Sequence, residues 1–342
     1  MPRHVTSLTP RELERALGSP SRVAPALRAI HNFSTRGRLP ESVDGIAKHP
    51  WDAFLRSHTV PSFEIVERLV SKDGTIRLVL HLGKDPVETI IIPGAARTTA
   101  CISCQSGCSR ACRFCATSRL GFKRNLEAGE IVLQVLLAKE EAEAAGLKTP
   151  TNVVLMGMGE PLDNLEEVVR AIDVLVAHPL PGIGARHITV STSGILPAIR
   201  PFLSRSAAQL ALSLHATTDE DRLALVPHNR TWPIRPLLEE IRAALEDDGR
   251  LVLVEYLLLG GVNDSAADAR RLSSLLESVP CRLNLIPYNP VEGLPFHEPS
   301  PESLSAFASV LSGAGVRTLV RHPRGRDVAA ACGQLAGSVG PK

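Results

Sequence analysis

From about residue 95 onward, short continuous apolar runs alternate with stretches whose apolar residues recur at helical spacing. The runs are TTACIS, TNVVLMG, RHITVST, QLALSLHA, RLVLVEYLLL, RLNLIPYNP and VRTLVRH. Between them lie LEAGEIVLQVLLAKEEAEAAG, LEEVVRAIDVLVAH, ILPAIRPFLS, IRPLLEEIRAALEDD, SAADARRLSSLLESV and PESLSAFASVLSGAG. Apolar strands separated by amphipathic helices predict parallel βαβ units, because a parallel strand is covered on both faces. Seven such strands suit a doubly wound sheet or a full or partial barrel, and periodicity does not separate these. Either arrangement places an active site at the carboxyl ends of the strands.

The first 94 residues read differently. LTPRELERALG carries Thr9 as a helix cap, Glu12 three residues on and Gly18 as a stop. SRVAPALRAIHNF and HPWDAFLRSH read as two more helices. FEIVERLVSKDGTIRLVLHL reads as two strands around an Asp73–Gly74 turn, and VETIIIP as a third. The expected division is a helical unit over residues 1–60, a β-rich linker over 61–94, and an α/β domain over 95–342.

Composition narrows the class. With 342 residues, 44% hydrophobic and 22% charged, the chain can bury one large core and a smaller one. MPRHVTSLTPRELERA has no apolar signal core, and LVLVEYLLLGG is interrupted by Glu255. A cytoplasmic protein is expected, a setting in which stable disulfides are rare. The net charge of +2 excludes little. Residues 1–60 hold nine Lys/Arg against five Asp/Glu. The basic runs RLGFKR (Arg119, Lys123, Arg124) and RHPRGR (Arg321, Arg324, Arg326) stand close to cysteines. Phe33, Trp51 and Phe54 read as core residues rather than stacking surfaces.

Five of the seven cysteines fall between Cys101 and Cys115, in CISCQSGCSRACRFC. An odd total disfavours a full disulfide framework, which leaves metal binding or redox catalysis. Cys108, Cys112 and Cys115 can supply thiolates to three irons of a [4Fe–4S] cluster and leave the fourth iron open. A zinc site completed by Cys101 or Cys104 is the alternative, although no second Cys-x-x-Cys follows. Other polar, glycine-containing segments end the predicted strands: MGMGEP, STSG, SLH and PYNP. Together with the cysteines they describe one concave rim.

The Cys-x-x-x-Cys-x-x-Cys spacing is the signature of the radical S-adenosylmethionine (SAM) superfamily. Residues 60–337 resemble its RlmN/Cfr family of adenosine RNA methyltransferases. The matching pieces, in order, are SKDGTIRL, VETIIIP, CISCQSGCSRACRFCATSRLGFKRNL, NVVLMGMGEPLDN, ITVSTSG, LALSLHA, VEYLLLGGVND, NLIPYNP and RGRDVAAACGQLAG. The resemblance implies a partial (β/α)₆ TIM-like barrel with a small N-terminal helical, RNA-binding accessory domain and a β-hairpin linker. It implies that Cys108, Cys112 and Cys115 hold the cluster, and that Gly159, Glu160, Ser191, Ser213, Leu214, His215 and Asn289 contact SAM. By the same resemblance Cys332 carries a methyl group, Cys101 resolves the intermediate by forming a disulfide, and Glu88 accepts a proton.

Two SAM molecules per turnover are implied: one methylates Cys332, and the other yields the radical that activates this methyl group for addition to adenine. A radical is required because ring carbons 2 and 8 of adenine are not nucleophilic. The implied partners are 23S rRNA, with tRNA as a second RNA, and a one-electron reductant such as flavodoxin or ferredoxin. Arg119, Lys123, Arg124, Arg321, Arg324 and Arg326 are expected to flank the mouth and meet RNA phosphates. The expected enzyme is monomeric. Pro161 favours carbon 2, and carbon 8 is the runner-up. A zinc-stabilised, non-catalytic RNA-binding protein is the distant alternative. Cys104 departs from the family, which has a small non-thiol residue there, and reads as a bystander. Arg326 and Ala329 stand where acidic residues are frequent. Cys281 reads as a buried structural cysteine.

Overall fold

The computed structural model describes residues 3–177, 182–246 and 249–336. Gly337, the last residue of the ACGQLAG match, lies outside them. The chain opens with a helical unit of α1 (Pro10–Leu17), α2 (Val23–Phe33) and α3 (Lys48–Ser57). The predicted cap is present: Thr9 and Glu12 form a reciprocal capping box, and Gly18 closes α1 in the left-handed conformation. Leu13, Ile30, Trp51 and Phe54 fill a core of its own. Trp51 and Phe54 are therefore packing residues, as expected. Two-residue strands β1 (Arg3–His4) and β2 (His58–Thr59) pair in parallel and bring the ends of the unit together.

One sheet of ten strands dominates the rest. Its antiparallel part is β3 (Phe63–Val70), β4 (Ile76–Leu82) and β5 (Asp85–Pro93). Next in space comes β6 (Thr98–Cys101); a small hairpin of β7 (Gln105–Gly107) and β8 (Phe122–Asn125) follows in the chain. The parallel series continues through β9 (Pro150–Leu155), β10 (Ile188–Thr192), β11 (Gln209–Ser213), β12 (Val252–Leu258), β13 (Cys281–Pro287) and β14 (Thr318–Val320). From β6 to β14 each strand pairs in parallel with the next in that series.

The crossovers run through α4 (Ala128–Ala144), α5 (Leu165–Ala177), α6 (Leu196–Arg205), α7 (Asp219–Leu225) with α8 (Ile234–Leu245), α9 (Ala266–Leu276) and α10 (Pro301–Gly313). A doubly wound sheet reverses its strand order at a switch point. This sheet never reverses, so right-handed crossovers place all its helices on one face, as in a barrel. The sheet is linear, with β3 and β14 as its edges, so the barrel is partial.

Residues 61–94, expected as a linker, are built into this sheet. β5 pairs with β6 in the register Ile90↔Cys101, and Ile76, Leu78 and Ile91 share the barrel's core. The helical unit is fastened to the barrel by Arg170, which donates to Ser7 O and to the Glu12 carboxylate, both at 2.8 Å. Helix α7 and the β7–β8 hairpin are elements that periodicity missed, and α7 bears on the site. Its seven residues are too short to show a helical stripe, although Thr218 caps it by accepting from Asp221 N–H. Among the described residues no helix is long and apolar enough to cross a membrane.

Candidate active site

A cavity opens at the carboxyl ends of the barrel strands. Cys108, Cys112 and Cys115 line it, together with Gly159, Glu160, Ser191, Ser213 and His215. Cys332 reaches it from the far end of the chain. The structure thus gathers nine of the predicted site residues around one space. Leu214, Asn289, Cys101 and Glu88 do not line it.

The glycines of MGMGEP allow two loops to meet. A Cβ on Gly159 would lie 2.6 Å from Gln105 Cβ, and one on Gly157 would lie 2.7 Å from Ile102 O. Gly159 also has φ of 106°, a conformation that side chains resist. The close approach lets Met158 O accept from the N–H groups of Cys104 and Gln105 at 3.0 and 3.2 Å. Gln105 Oε1 in turn accepts from Glu160 N–H at 2.9 Å.

Glu160 forms the floor of a polar shelf. Its carboxylate accepts from Leu162 N–H at 3.0 Å, Ser193 N–H at 2.8 Å and the Ser193 hydroxyl at 2.6 Å. Burial pushes this carboxyl above its ordinary range, and the hydrogen bonds from Ser193 pull it back. The hydroxyl oxygens of Ser191 and Ser213 are 3.3 Å apart at the ends of adjacent strands. His215 has φ of 63°, and its Nδ1 accepts from Leu257 N–H at 3.1 Å. Burial, and then the Arg222 charge, lower its pKa to about 3, so the ring is neutral near pH 7 and carries its proton on Nε2.

Arg222 on α7 organises this shelf from behind. Fully buried, it donates to Ser193 O at 2.6 Å, Leu214 O at 3.0 Å and Ser213 O at 3.2 Å, and to Asn229 Oδ1 at 2.7 Å. Burial lowers its pKa to about 10, which leaves it cationic near neutrality. Leu214 accordingly takes part through its carbonyl. Arg113 N–H donates to Leu225 O at 3.0 Å, which ties the cysteine loop to the same helix.

The three loop cysteines are half-buried free thiols. Burial raises Cys108 to about 12 and pushes Cys112 well up, and neighbouring cysteines add to both shifts. Such thiols ionise when a metal's positive charge compensates for desolvation. Among the described residues no three His, Cys, Asp or Glu side chains converge tightly enough for a single ion. Three thiols spread around one cavity fit an iron–sulfur cube, in which each iron takes one sulfur, and do not fit a tetrahedral zinc. Ala111 adopts φ of 55° in the turn between Cys108 and Cys112, one sign that this loop is held in shape by its surroundings.

Cys332 is exposed toward the cavity. Its segment is held by Asn289, whose Nδ2 donates to Cys332 O at 3.2 Å, and by Ala116 N–H, which donates to Gly333 O at 2.8 Å. Cys101 is buried at the end of β6. Burial raises the Cys101 thiol, and desolvation within the barrel mouth raises that of Cys332. Both also feel the ion pair of Arg321 with Glu255, whose atoms are 3.2 Å apart. Glu88 is fully buried under the C-terminal segment. Arg77 holds its carboxylate through two bonds of 2.7 and 3.0 Å, and Ala336 N–H donates to it at 3.0 Å.

Ser193, Arg222 and Glu255 were missed as site residues, and Arg321 was expected at the mouth for phosphate rather than beside the two thiols. Glu255 had a visible signal, a charge inside the apolar run VLVEYLLL. Four of the six basic residues expected to meet phosphates pair with carboxylates of the chain itself: Arg124 with Asp85 and Glu130, Arg321 with Glu255, Arg324 with Asp73, and Arg326 with Glu298. Cys104 is buried, its S–H directed to Met158 O at 3.7 Å. Cys281 is half-buried against the core.

Residues 102–272 match the Radical SAM superfamily. A probable RNA methyltransferase of Sorangium cellulosum is 47% identical over 294 residues, covering 86% of this chain and 74% of the relative. The dual-specificity RNA methyltransferase RlmN of Anaeromyxobacter sp. is 44% identical over 295 residues, 84% of this chain and 78% of the relative. The protein of the same name from Cereibacter sphaeroides is 40% identical over 354 aligned positions, 98% of this chain and 89% of the relative. The crystal structure of a radical SAM methyltransferase from Sphaerobacter thermophilus superposes with a TM-score of 0.89 at 38% identity. That match covers 98% of this chain and all of the other.

Proposed function

The chain belongs to the RlmN/Cfr family of radical SAM RNA methyltransferases, and on that premise we propose that it methylates carbon 2 of an adenosine in 23S rRNA and in tRNA. The observation that carries this reading is the convergence of Cys108, Cys112, Cys115, the Glu160 shelf and Cys332 on one cavity. The name shared by two relatives, dual-specificity, supports a pair of RNA substrates. Pro161 supports carbon 2 over carbon 8.

A [4Fe–4S] cluster and SAM are the cofactors of this family; held by the three loop cysteines and by the shelf, they supply one-electron cleavage of SAM and hence a carbon radical. The remaining steps fall to the protein's own residues. Glu160, Ser191, Ser213 and His215 line the space for SAM, and Arg222 fixes the backbone that presents them. Cys332, open to the cavity, is the nucleophile that accepts a methyl group once its thiol has lost its proton.

Release of the product is assigned to Cys101. Its thiolate attacks Cys332 sulfur, so that an S–S bond forms as the S–C bond to the RNA adduct breaks. The departing carbon keeps the electron pair and takes a proton to become the new methyl group. The two cysteines are oxidised together and must be reduced before another turnover. Glu88 is the proposed acceptor of the ring proton. Its carboxylate is covered by Ala336 N–H, so this role requires the C-terminal segment to lift. A monomer acting in the cytoplasm with a flavodoxin- or ferredoxin-type reductant completes the reading.

The test is nucleoside mass spectrometry. Protein reconstituted anaerobically with iron and sulfide is given SAM, a reductant and unmethylated 23S rRNA or tRNA, and the RNA is digested. The expected product is 2-methyladenosine. Detection of 8-methyladenosine instead would move the protein to carbon 8, and an unmodified adenosine despite SAM cleavage would overturn the RNA assignment.

A further inference from the structure

The cysteine loop is a thin wall with two faces. Cys112 and Cys115 line the catalytic cavity on one side. On the other they line a separate surface depression. Ala224, Leu225, Val262, Leu294, Pro295 and Phe296 form its floor and walls. Val262 is 48% exposed, and Phe296 packs on the apolar cluster that also receives Cys112 and Cys115. Arg113 and Arg119 outnumber Asp221 among the charged residues of the depression. Arg119 is positioned by a bond of 2.9 Å to Glu292 O.

We propose that this outer depression is the docking surface for an acidic, low-potential one-electron carrier protein, which delivers its electron through the wall formed by Cys112 and Cys115. The inference rests on the cluster assignment made above. SAM and the target nucleotide occupy the inner face, so an electron from a protein donor must enter by another. Electron transfer weakens steeply with distance, which favours the surface nearest the ligand thiols. Redox encounters use small interfaces, and an apolar patch with a positive rim suits a carrier whose redox centre is surrounded by carboxylates. The carrier loses one electron and the cluster gains it; no bond is made or broken.

Arg113→Glu and Val262→Glu holoenzymes test the proposal. Reduced flavodoxin is mixed with each oxidised protein in a stopped-flow instrument, and bleaching of the iron–sulfur absorbance is followed. The second-order rate constant should fall about tenfold in either variant, and that of Arg113→Glu should lose part of its salt dependence. Iron content and reduction by dithionite should match the wild type. Wild-type rates with flavodoxin in both variants would overturn the docking surface. Weakened RNA binding with an unchanged flavodoxin rate would also overturn it and assign the depression to RNA. A wild-type protein that takes up no iron–sulfur chromophore would remove the cluster assignment itself, an outcome recognisable because it precedes any comparison of variants.

Discussion

Cys332 and Cys101 come from opposite ends of the domain and share one electrostatic setting, the ion pair of buried Glu255 with half-buried Arg321. Their different exposure fits the proposed tasks, in which the open thiol meets SAM and RNA and the buried one acts afterward. Cys332→Ala is expected to abolish RNA methylation while iron content stays at the wild-type level, checked by nucleoside mass spectrometry and iron assay. Cys101→Ala should accumulate a protein–RNA adduct that survives a denaturing gel. His215 gives a pH prediction. Its folded pKa of about 3 lies below the ordinary 6.5, so the unfolded chain binds more protons in that interval. Stability is therefore complete above pH 6.5 and declines as pH falls toward 3. Urea midpoints at pH 7.5 and pH 5 should differ less in His215→Gln than in the wild type. The residue scale also holds the clearest limits of a one-dimensional reading. Arg124 and Arg326 looked available for phosphate, but their carboxylate partners, Asp85, Glu130 and Glu298, could not be paired with them from position alone.

At the scale of elements, the shelf depends on two pieces that never enter the cavity. Helix α7 presents Arg222 to three carbonyls at the ends of β10 and β11. Arg222→Gln leaves buried carbonyls without donors and should cost about 3 kcal/mol in unfolding free energy. It should also weaken SAM binding in protein of full iron content, as read by calorimetry, and Arg222→Lys should recover part of that affinity. The turn after β9 depends on glycine. Gly159→Ala meets both an unfavourable φ and Gln105, with a strain of about 1–3 kcal/mol. A lowered thermal midpoint together with weaker SAM binding is expected. The glycines and the polar strand ends were legible in MGMGEP, STSG and SLH because sequence places them just beyond apolar runs. Helix α7 was not, since its seven residues make too few turns to show a stripe.

For the whole molecule, the C-terminal segment closes over the open sheet. Asp327 accepts from the Ser71 hydroxyl at 2.5 Å and Lys72 N–H at 3.0 Å, and Gly325 N–H donates to Asp73 at 3.0 Å. These contacts with the β3–β4 turn, like that of Ala336 with Glu88, steer Cys332 over the barrel mouth. Asp327→Ala should slow methyl loading of Cys332, followed by intact-protein mass spectrometry, with iron content unchanged. The sequence by itself determined the strands, most of the helices and the thiols. Hydrophobic period, caps and cysteine spacing are local properties, written within a few residues of one another. Periodicity left open whether the order of the seven parallel strands reverses, a partial barrel being implied only by the family resemblance, and residues 61–94 read as a linker. Only the tertiary structure decided the one-way winding, the merging of β3–β5 into the sheet, and the closing of Glu88 under Arg77 and Ala336. Each of these is a pairing between distant segments, selected by shared burial and by the need to satisfy buried charges and backbone groups.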